Sequence, residues 1–223
     1  MSHDLLERVI AALPGLGAFK LGAFTLKLHS KHPEAPLSPF YIDLRVLQSF
    51  PDALLDSATV LSGLARGLTF DLLAGVPNAA TPFVTLMSQQ LGVPMISPQK
   101  ETKKHGVGGE IYGVFSPGQI VLLVDDLVTD ADSKLEVIKK LEAGGLSVTD
   151  VVVLLDRQQG GSEELAKSDY NLHAAITADE LFPIIYSAGG LSPEAKDLCE
   201  RYRHNELPSG WEGSVKEGWD IIG

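Results

Sequence analysis

The sequence predicts an α/β protein built on an open, mostly parallel sheet with helices on both faces. Three observations point to this fold class. Apolar runs and helix-forming stretches alternate along the chain from residue 71 onward. The run Ile120-Val-Leu-Leu-Val124 is apolar without interruption, which is typical of a central parallel strand covered on both faces. The connections between these elements are short, so the elements are expected to form one layered sheet.

The first fifty residues are expected to be less regular. Apolar residues recur at helical spacing over residues 4–13, and two short segments rich in strand formers follow at residues 24–27 and 40–44. A polar loop with several prolines, residues 28–39, separates these two strands. Pro51 is expected to open the next helix, because proline is favoured at a first helical position.

The remaining elements follow in alternation. The helix that begins at Pro51 is predicted to reach residue 68. Further helices are predicted at 81–91, 132–143, 178–187 and 193–204, and strands at 71–75, 94–97, 120–124, 150–155 and 172–177. We therefore expect a single domain over residues 1–204, followed by an unassigned tail at 205–223 that is rich in glycine and contains both tryptophans.

Composition excludes several classes of protein. The chain has 18 Lys and Arg against 29 Asp and Glu, a formal net charge of −11, which is unsuited to binding a nucleic acid backbone. No apolar run approaches the ~20 residues that span a bilayer, and the first residues are acidic, unlike a leader peptide. The single Cys199 excludes an internal disulfide and a multi-cysteine zinc site. We expect a cytoplasmic protein without nucleic acid or membrane partners.

The carboxyl ends of the strands are the places to search for chemistry, because ligands of open parallel sheets bind there. Asp125 and Asp126 follow the most apolar strand, and adjacent carboxylates suit ribose hydroxyls or a hydrated magnesium ion. The turn after them opens a helix, whose free N–H groups could hold a phosphate. An alternative stays open, in which the two aspartates cap a turn and Ser133 caps the helix.

A second candidate is the segment from Gln99 to Gly109. Three lysines and a histidine lie in a stretch that has no apolar periodicity and ends in glycines: Lys100, Lys103, Lys104 and His105. This composition fits a mobile loop that closes over a polyanion. It fits a solvated surface loop equally well.

Two further strand ends carry weaker signals. Arg157 follows a buried-type strand and offers a planar fork to a carboxylate or an imide edge. A salt bridge to Asp156 or to a helix is the alternative, and it is the commoner role of a lone arginine. The tight turn that contains Asn78 and Ala79 lets backbone amides approach an anion.

Several motifs resemble a known family. The run Val121-Leu-Leu-Val-Asp-Asp-Leu-Val-Thr129, followed by a helix, resembles the phosphoribosyl pyrophosphate (PRPP) motif of type I phosphoribosyltransferases. Four further segments are similar to orotate phosphoribosyltransferases in order and spacing: Phe24-Thr-Leu-Lys27, Ser38-Pro-Phe-Tyr-Ile-Asp-Leu-Arg45, Lys100-Glu-Thr-Lys-Lys-His-Gly106 and residues 148–161. The resemblance runs from about residue 15 to 204. It implies a type I phosphoribosyltransferase-like sheet with a small N-terminal hood of about residues 1–45.

The resemblance also implies an activity and a partner. The reaction of this family joins orotate to PRPP in the presence of Mg²⁺ and gives orotidine 5′-monophosphate and pyrophosphate, a step of UMP synthesis. It implies a homodimer in which the loop from Lys100 to Gly109 is shared across subunits. Mg²⁺ would be held mainly through PRPP, with Asp125 and Asp126 as candidate protein ligands.

The resemblance implies a role for each matching residue. The catalytic set would be Lys103, His105, Asp125 and Asp126. The orotate contacts would be Lys27, Tyr41, Ile42, Thr129 and Arg157. The PRPP contacts would be Lys27, Asn78, Ala79, Gln99, Lys100, Lys103, Lys104, His105, Asp125, Asp126, Leu127, Val128, Thr129, Asp130, Ala131, Asp132 and Ser133.

The predicted phosphate loop, residues 129–133, departs from the family pattern. Ala131 stands where the family has a glycine, and Asp130 and Asp132 place negative charge beside a dianionic group. At ~4 Å and an effective dielectric constant near 20, each inward carboxylate would cost about 4 kcal/mol, and an outward one much less. Gln99 stands where an arginine is usual. The loop after Lys27 also departs from the family, which leaves open a transferase for another base. Asp130 and Asp132 leave open a noncatalytic nucleotide-binding relative.

Overall fold

The computed structural model describes residues 3–26, 29, 33–100, 110–204 and 206–207. The chain groups into two compact units. The larger comprises Met1–Leu6 and Pro51–Ala178, and the smaller comprises Glu7–Phe50 and Asp179–Gly223. None of the helices in the described ranges is both long and apolar enough to cross a membrane.

The elements are named here in chain order. The helices are α1 His3–Ala12, α2 Pro51–Ala65, α3 Thr81–Leu91, α4 Asp132–Ala143, α5 Gly161–Ala166, α6 Ala178–Ser187 and α7 Pro193–Arg203. The strands are β1 Phe19–Phe24, β2 Ser38–Ile42, β3 Leu72–Gly75, β4 Met95–Pro98, β5 Ile111–Tyr112, β6 Ile120–Val128, β7 Ser147–Asp156 and β8 Asn171–Thr177. A 3₁₀ helix covers Leu44–Ser49.

The larger unit is built on a six-stranded sheet in the order β5-β4-β3-β6-β7-β8. All neighbouring pairs are parallel except β4 and β5, which are antiparallel. The central strand β6 pairs with β3 as far as Val124 and with β7 as far as Val128, which lies opposite Asp156. The prediction of an open, mostly parallel α/β sheet is confirmed.

Helices cover both faces of this sheet. Alternate strand residues, such as Val121 and Leu123 of β6, form one apolar cluster with Val137, Ile138 and Leu141 of α4. The residues between them, such as Leu122, are also buried and point to the opposite face, because successive side chains of a strand alternate. Helices α2 and α3 contact the strands but contribute no residue to the α4 cluster, so they cover that opposite face.

The smaller unit has an aromatic core drawn from both ends of the chain. Strands β1 and β2 are antiparallel, and Phe19 stacks on Phe40 with ring centroids 6.0 Å apart. The Phe40 ring meets Phe182 of α6 edge-on at 5.1 Å and Tyr202 of α7 at 5.9 Å. Helices α6 and α7 thus group with the N-terminal strands. The predicted hood of about residues 1–45 therefore covers only part of this unit. The domain boundary at residue 204 stays a prediction, and most of the tail lies outside the described residues.

Four elements differ most from the sequence-based expectations. Strand β6 continues to Val128, four residues past the end of its apolar run, because its pairing with β7 continues beyond the two aspartates. Strand β1 covers residues 19–24 and ends where a strand was expected to begin. The short elements β5 and α5 were not expected, since two and six residues are too few to show a period.

Candidate active site

Asp125 and Asp126 lie inside β6 and are almost fully buried, with 4% and 8% of their surface exposed. Because strand side chains alternate, the two carboxylates point to opposite faces of the sheet. Asp125 shares the face of Val121 and Leu123, which is the face covered by α4. The two aspartates are therefore not equivalent, although they are adjacent in the sequence.

A buried lysine holds Asp125. Lys134 on the first turn of α4 donates from Nζ to Asp125 Oδ2 at 2.6 Å and to the Leu127 carbonyl oxygen at 2.6 Å. The other carboxylate oxygen, Oδ1, accepts the backbone N–H of Asp126 at 2.9 Å. Both oxygens of Asp125 are thus engaged within the protein, and the carboxylate fixes the backbone between β6 and the following loop.

Asp126 is in a different electrostatic situation. Its Oδ1 accepts the backbone N–H of Leu127 at 2.8 Å. Burial, and next the negative charge of Asp125, raise the pKa of Asp126 to about 7. A side-chain hydrogen bond with Asp125 acts in the same direction and favours the protonated form of Asp126. Lys134 is thus paired with Asp125, whereas Asp126 keeps a raised pKa.

Asp126 gives a prediction for the pH dependence of stability. Its pKa of about 7 lies above the ordinary value of 3.8, so the folded protein retains a proton that the unfolded chain releases. The stabilisation that comes from the protonated Asp126 is complete below about pH 4 and is lost as the pH rises through about 7. Since each pKa unit corresponds to about 1.4 kcal/mol, we expect Asp126→Asn to be more stable than wild type at pH 8 by a margin that shrinks steadily towards pH 4. Urea unfolding at several pH values measures this margin, and a pH-independent margin would contradict the assignment.

The phosphate loop, residues 129–133, joins β6 to α4. Helix α4 begins at Asp132, and its N-cap residue is Ala131, which has no capping side chain. The alternative in which Ser133 caps the helix is therefore wrong. Ala131 and Val128 are fully buried in the apolar cluster, so they can meet a ligand only through their backbone atoms.

Two N–H groups of the phosphate loop already donate to carboxylates of the chain itself. The N–H of Asp132 donates to Asp130 Oδ1 at 3.3 Å, and the N–H of Ala131 donates to Glu164 Oε2 at 3.0 Å. Asp130 therefore turns its carboxylate back on the loop, whereas the Asp132 side chain is exposed.

The end of β7 and the start of α5 form a wall beside the loop. The Arg157 N–H donates to the Val128 carbonyl oxygen at 3.0 Å, and the Gly161 N–H donates to the Thr129 carbonyl oxygen at 3.0 Å. The Arg157 side chain is buried, with 4% exposed. Asp156 accepts the N–H of Gln158 at 2.7 Å and shapes the turn between them. Arg157 and the phosphate loop thus lie at the same edge of the sheet, as expected.

The turn after β3 lies next to β6. The Val76 N–H donates to the Val124 carbonyl oxygen at 2.9 Å, which brings this turn to the edge that carries Asp125 and Asp126. Asn78 is exposed and Ala79 half-buried, and the peptide bond between Pro77 and Asn78 is cis. Both residues are therefore open to a ligand at this edge.

The two ends of the lysine-rich segment are joined to each other and to α4. The Gln99 N–H donates to the Glu110 carbonyl oxygen at 2.7 Å, which extends the β4–β5 pairing. Lys140 Nζ donates to the carbonyl oxygens of Gln99 and Lys100, each at 3.2 Å. The predicted site residues within the segment, Lys103, Lys104 and His105, lie outside the described residues, and so does Lys27.

Tyr41 and Ile42 belong to the smaller unit. Ile42 is buried opposite Phe19. The Tyr41 ring lies 5.5 Å from that of Phe24, and its hydroxyl accepts a hydrogen bond from Arg45 at 3.4 Å. Their contacts with orotate stay predictions.

Comparisons with known proteins identify the family. The phosphoribosyl transferase domain family matches residues 51–183. An orotate phosphoribosyltransferase of Caenorhabditis elegans is 37% identical over 180 residues, which cover 80% of this chain and 77% of the relative. This chain belongs to the orotate phosphoribosyltransferase family. The resemblance read from the sequence motifs is therefore confirmed.

Other members of the orotate phosphoribosyltransferase family are longer proteins. A bifunctional enzyme PyrF/PyrE of Nostoc is 37% identical over 156 residues, which cover 70% of this chain and 33% of the relative. The structure of the Leishmania donovani UMP synthase matches with a TM-score of 0.80 and 31% identity over 89% of this chain and 42% of that one. The chain thus spans a third to less than half of these two relatives.

Three residues of this family site were missed in the sequence. Lys134 carried a usable signal, because it occupies an apolar position of α4 at helical spacing from Val137, Ile138 and Leu141. A lysine on a buried face requires a partner, and an aspartate pair directly precedes it. Glu164 and Gly161 carried no comparable signal, since their contacts depend on a six-residue helix that docks on the loop.

Proposed function

We propose that this chain is an orotate phosphoribosyltransferase. It transfers the 5-phosphoribosyl group from PRPP to orotate and gives orotidine 5′-monophosphate and pyrophosphate in UMP synthesis. The observation that carries this proposal is the β6–loop–α4 arrangement, in which the buried carboxyl of Asp126 leads within a few residues to backbone N–H groups at a helix N-terminus. Such N–H groups favour a phosphate, and the carboxylate favours ribose hydroxyls.

The residues of the site would act on different parts of PRPP. The bond from ribose C1 to the pyrophosphate oxygen breaks, a bond from C1 to a ring nitrogen of orotate forms, and that nitrogen loses its proton. Positive charge develops on the ribose and negative charge on the leaving pyrophosphate, so fixed opposite charges lower the barrier. Asp126 would orient the ribose, the phosphate loop would hold the 5′-phosphate, and Lys103 with His105 would face the pyrophosphate.

The residues fit a magnesium ion that is held mainly by the substrate. Among the described residues, no group of three or more His, Cys, Asp or Glu could hold a metal ion. Lys134 engages Asp125, so Asp126 is the carboxyl group proposed for a direct contact with Mg²⁺. When bound with PRPP, Mg²⁺ would neutralise pyrophosphate charge.

The base would be read at the Arg157 edge. The backbone of Arg157 is fastened to Val128, one residue before Thr129. A guanidinium fork suits the carboxylate or the imide edge of orotate. We propose that Thr129 and Arg157 contact orotate. Orotate contacts of Lys27, Tyr41 and Ile42 stay predictions that rest on the family resemblance.

The activity is tested with purified protein, PRPP and a panel of bases. We expect orotate to be consumed and orotidine 5′-monophosphate to form, with the highest kcat/KM for orotate and loss of turnover in EDTA. Chromatography of the products measures this. Preference for another base would show a divergent transferase. PRPP binding without turnover on any base would show a noncatalytic relative.

The shared loop gives a second prediction. We propose a homodimer in which the segment from Lys100 to Gly109 serves the partner's site. Lys103→Ala and Asp126→Asn dimers should each be inactive. After subunit exchange, a hybrid dimer holds one site with both wild-type residues, so the mixture should regain activity. A mixture that stays inactive after exchange, shown by tagged subunits, would mean that each site uses its own loop.

A further inference from the structure

Helix α5 brings a carboxylate to the phosphate loop. Glu164 Oε2 accepts the N–H of Ala131 at 3.0 Å, although the two residues are 33 positions apart. The helix is docked by its first residue, since the Gly161 N–H donates to the Thr129 carbonyl oxygen at 3.0 Å. Gly161 also lies so close that an added Cβ would collide with the Val128 side chain. The backbone of α5 therefore sets the position of Glu164 at the loop.

The N–H that donates to Glu164 is also placed to donate to a phosphate. The Ala131 N–H lies at the N-terminus of α4, where N–H groups carry partial positive charge and attract anions. The adjacent Asp132 N–H is directed to Asp130 Oδ1 at 3.3 Å. Two of the chain's own carboxylates thus hold N–H groups in the segment that is proposed to bind the 5′-phosphate of PRPP.

We propose that Glu164 determines the affinity of the phosphate loop. Its carboxylate is an internal ligand of the Ala131 N–H and has to leave when a sugar 5′-phosphate binds. The apparent affinity for the phosphate is lowered by the fraction of molecules in which Glu164 occupies the loop. The identity of the phosphate ligand rests on the proposed function, whereas the internal contact does not.

The neighbouring Glu163 supplies a matched control for Glu164. Glu163 is also exposed, has the same charge and stands one residue earlier on the same helix. Replacing either glutamate by glutamine removes one negative charge and keeps the side-chain shape. A general effect of net charge on anion binding appears in both variants, but the loss of the charged competitor at the Ala131 N–H appears only in Glu164→Gln.

The test measures the Kd for ribose 5-phosphate and for PRPP with Mg²⁺ by calorimetry. We expect Glu164→Gln and Glu164→Ala to bind both ligands about fivefold more tightly than wild type, the size expected for an exposed charged contact. Glu163→Gln should match wild type. Unchanged or weaker binding by the Glu164 variants, or an equal gain in Glu163→Gln, would overturn the proposal.

Turnover on orotate separates this proposal from the proposed function. Tighter ribose 5-phosphate binding by Glu164→Gln in a protein that makes no orotidine 5′-monophosphate supports the internal ligand and rejects the transferase activity. Orotate turnover with the same Kd in wild type and Glu164→Gln supports the activity and rejects the internal ligand. In an active enzyme, Glu164→Gln should lower the KM for PRPP.

Discussion

Replacement of Lys134 by methionine is expected to lower the free energy of unfolding by about 3–5 kcal/mol. Lys134 and Asp125 form a 2.6 Å ion pair with side chains only 4% and 5% exposed. Methionine fits the apolar surroundings on α4, but it leaves the Asp125 carboxylate buried without its cation. The Leu127 carbonyl oxygen loses the same donor. Urea unfolding near pH 8 measures the loss.

Two variants test the cause of this loss. Lys139→Met removes an exposed lysine from the same helix and should change stability by less than about 0.5 kcal/mol. Asp125→Asn combined with Lys134→Met removes both charges, so the double variant should be more stable than the sum of the two single losses predicts. Additive losses would show that the pair does not interact.

Gly161→Ala is expected to weaken the binding of PRPP and to lower the free energy of unfolding by about 1–3 kcal/mol. A Cβ at Gly161 would collide with the Val128 side chain and lie 2.8 Å from the Thr129 carbonyl oxygen. The second neighbour is backbone, so either α5 or the phosphate loop must shift. The same shift lengthens the hydrogen bond from the Gly161 N–H to Thr129.

Gly67→Ala is the matched control for this substitution. Gly67 is exposed, and an added Cβ there has no neighbour within 4 Å in the described part of the chain. We expect its PRPP affinity and stability to match wild type within error. The Kd from calorimetry and the urea midpoint should both change in Gly161→Ala. A change in stability alone would mean that α5 moves and the phosphate loop does not.

The regular part of the fold could be predicted because its periods are local. Helices α3, α4 and α6 begin and end at the expected residues. Pro82 lies in the first turn of α3, and Gly92 and Gly144 directly follow α3 and α4. The end of β6 could not be read from apolar residues, because the strand continues through two aspartates. Its continuation depends on pairing with β7, which is a tertiary contact.

The site could be predicted as a set of strand ends but not as a set of contacts. Asp125, Asp126 and the phosphate loop lie together as expected, and Arg157 lies beside them. The two aspartates have different surroundings because successive side chains of a strand alternate. This difference can be expected only when β6 is known to continue past Val124. The contact between Glu164 and Ala131 joins residues 33 positions apart, so no local pattern carries it.

The aromatic core of the smaller unit bears on the order in which the protein can fold during synthesis. Phe19 and Phe40 are made early, but their partners Phe182 and Tyr202 emerge from the ribosome only after the whole sheet segment, Pro51–Ala178. Contacts over such long separations form late, because closing a long loop is entropically costly. A nascent chain arrested near residue 178 would carry all six strands of the sheet and only half of that aromatic core.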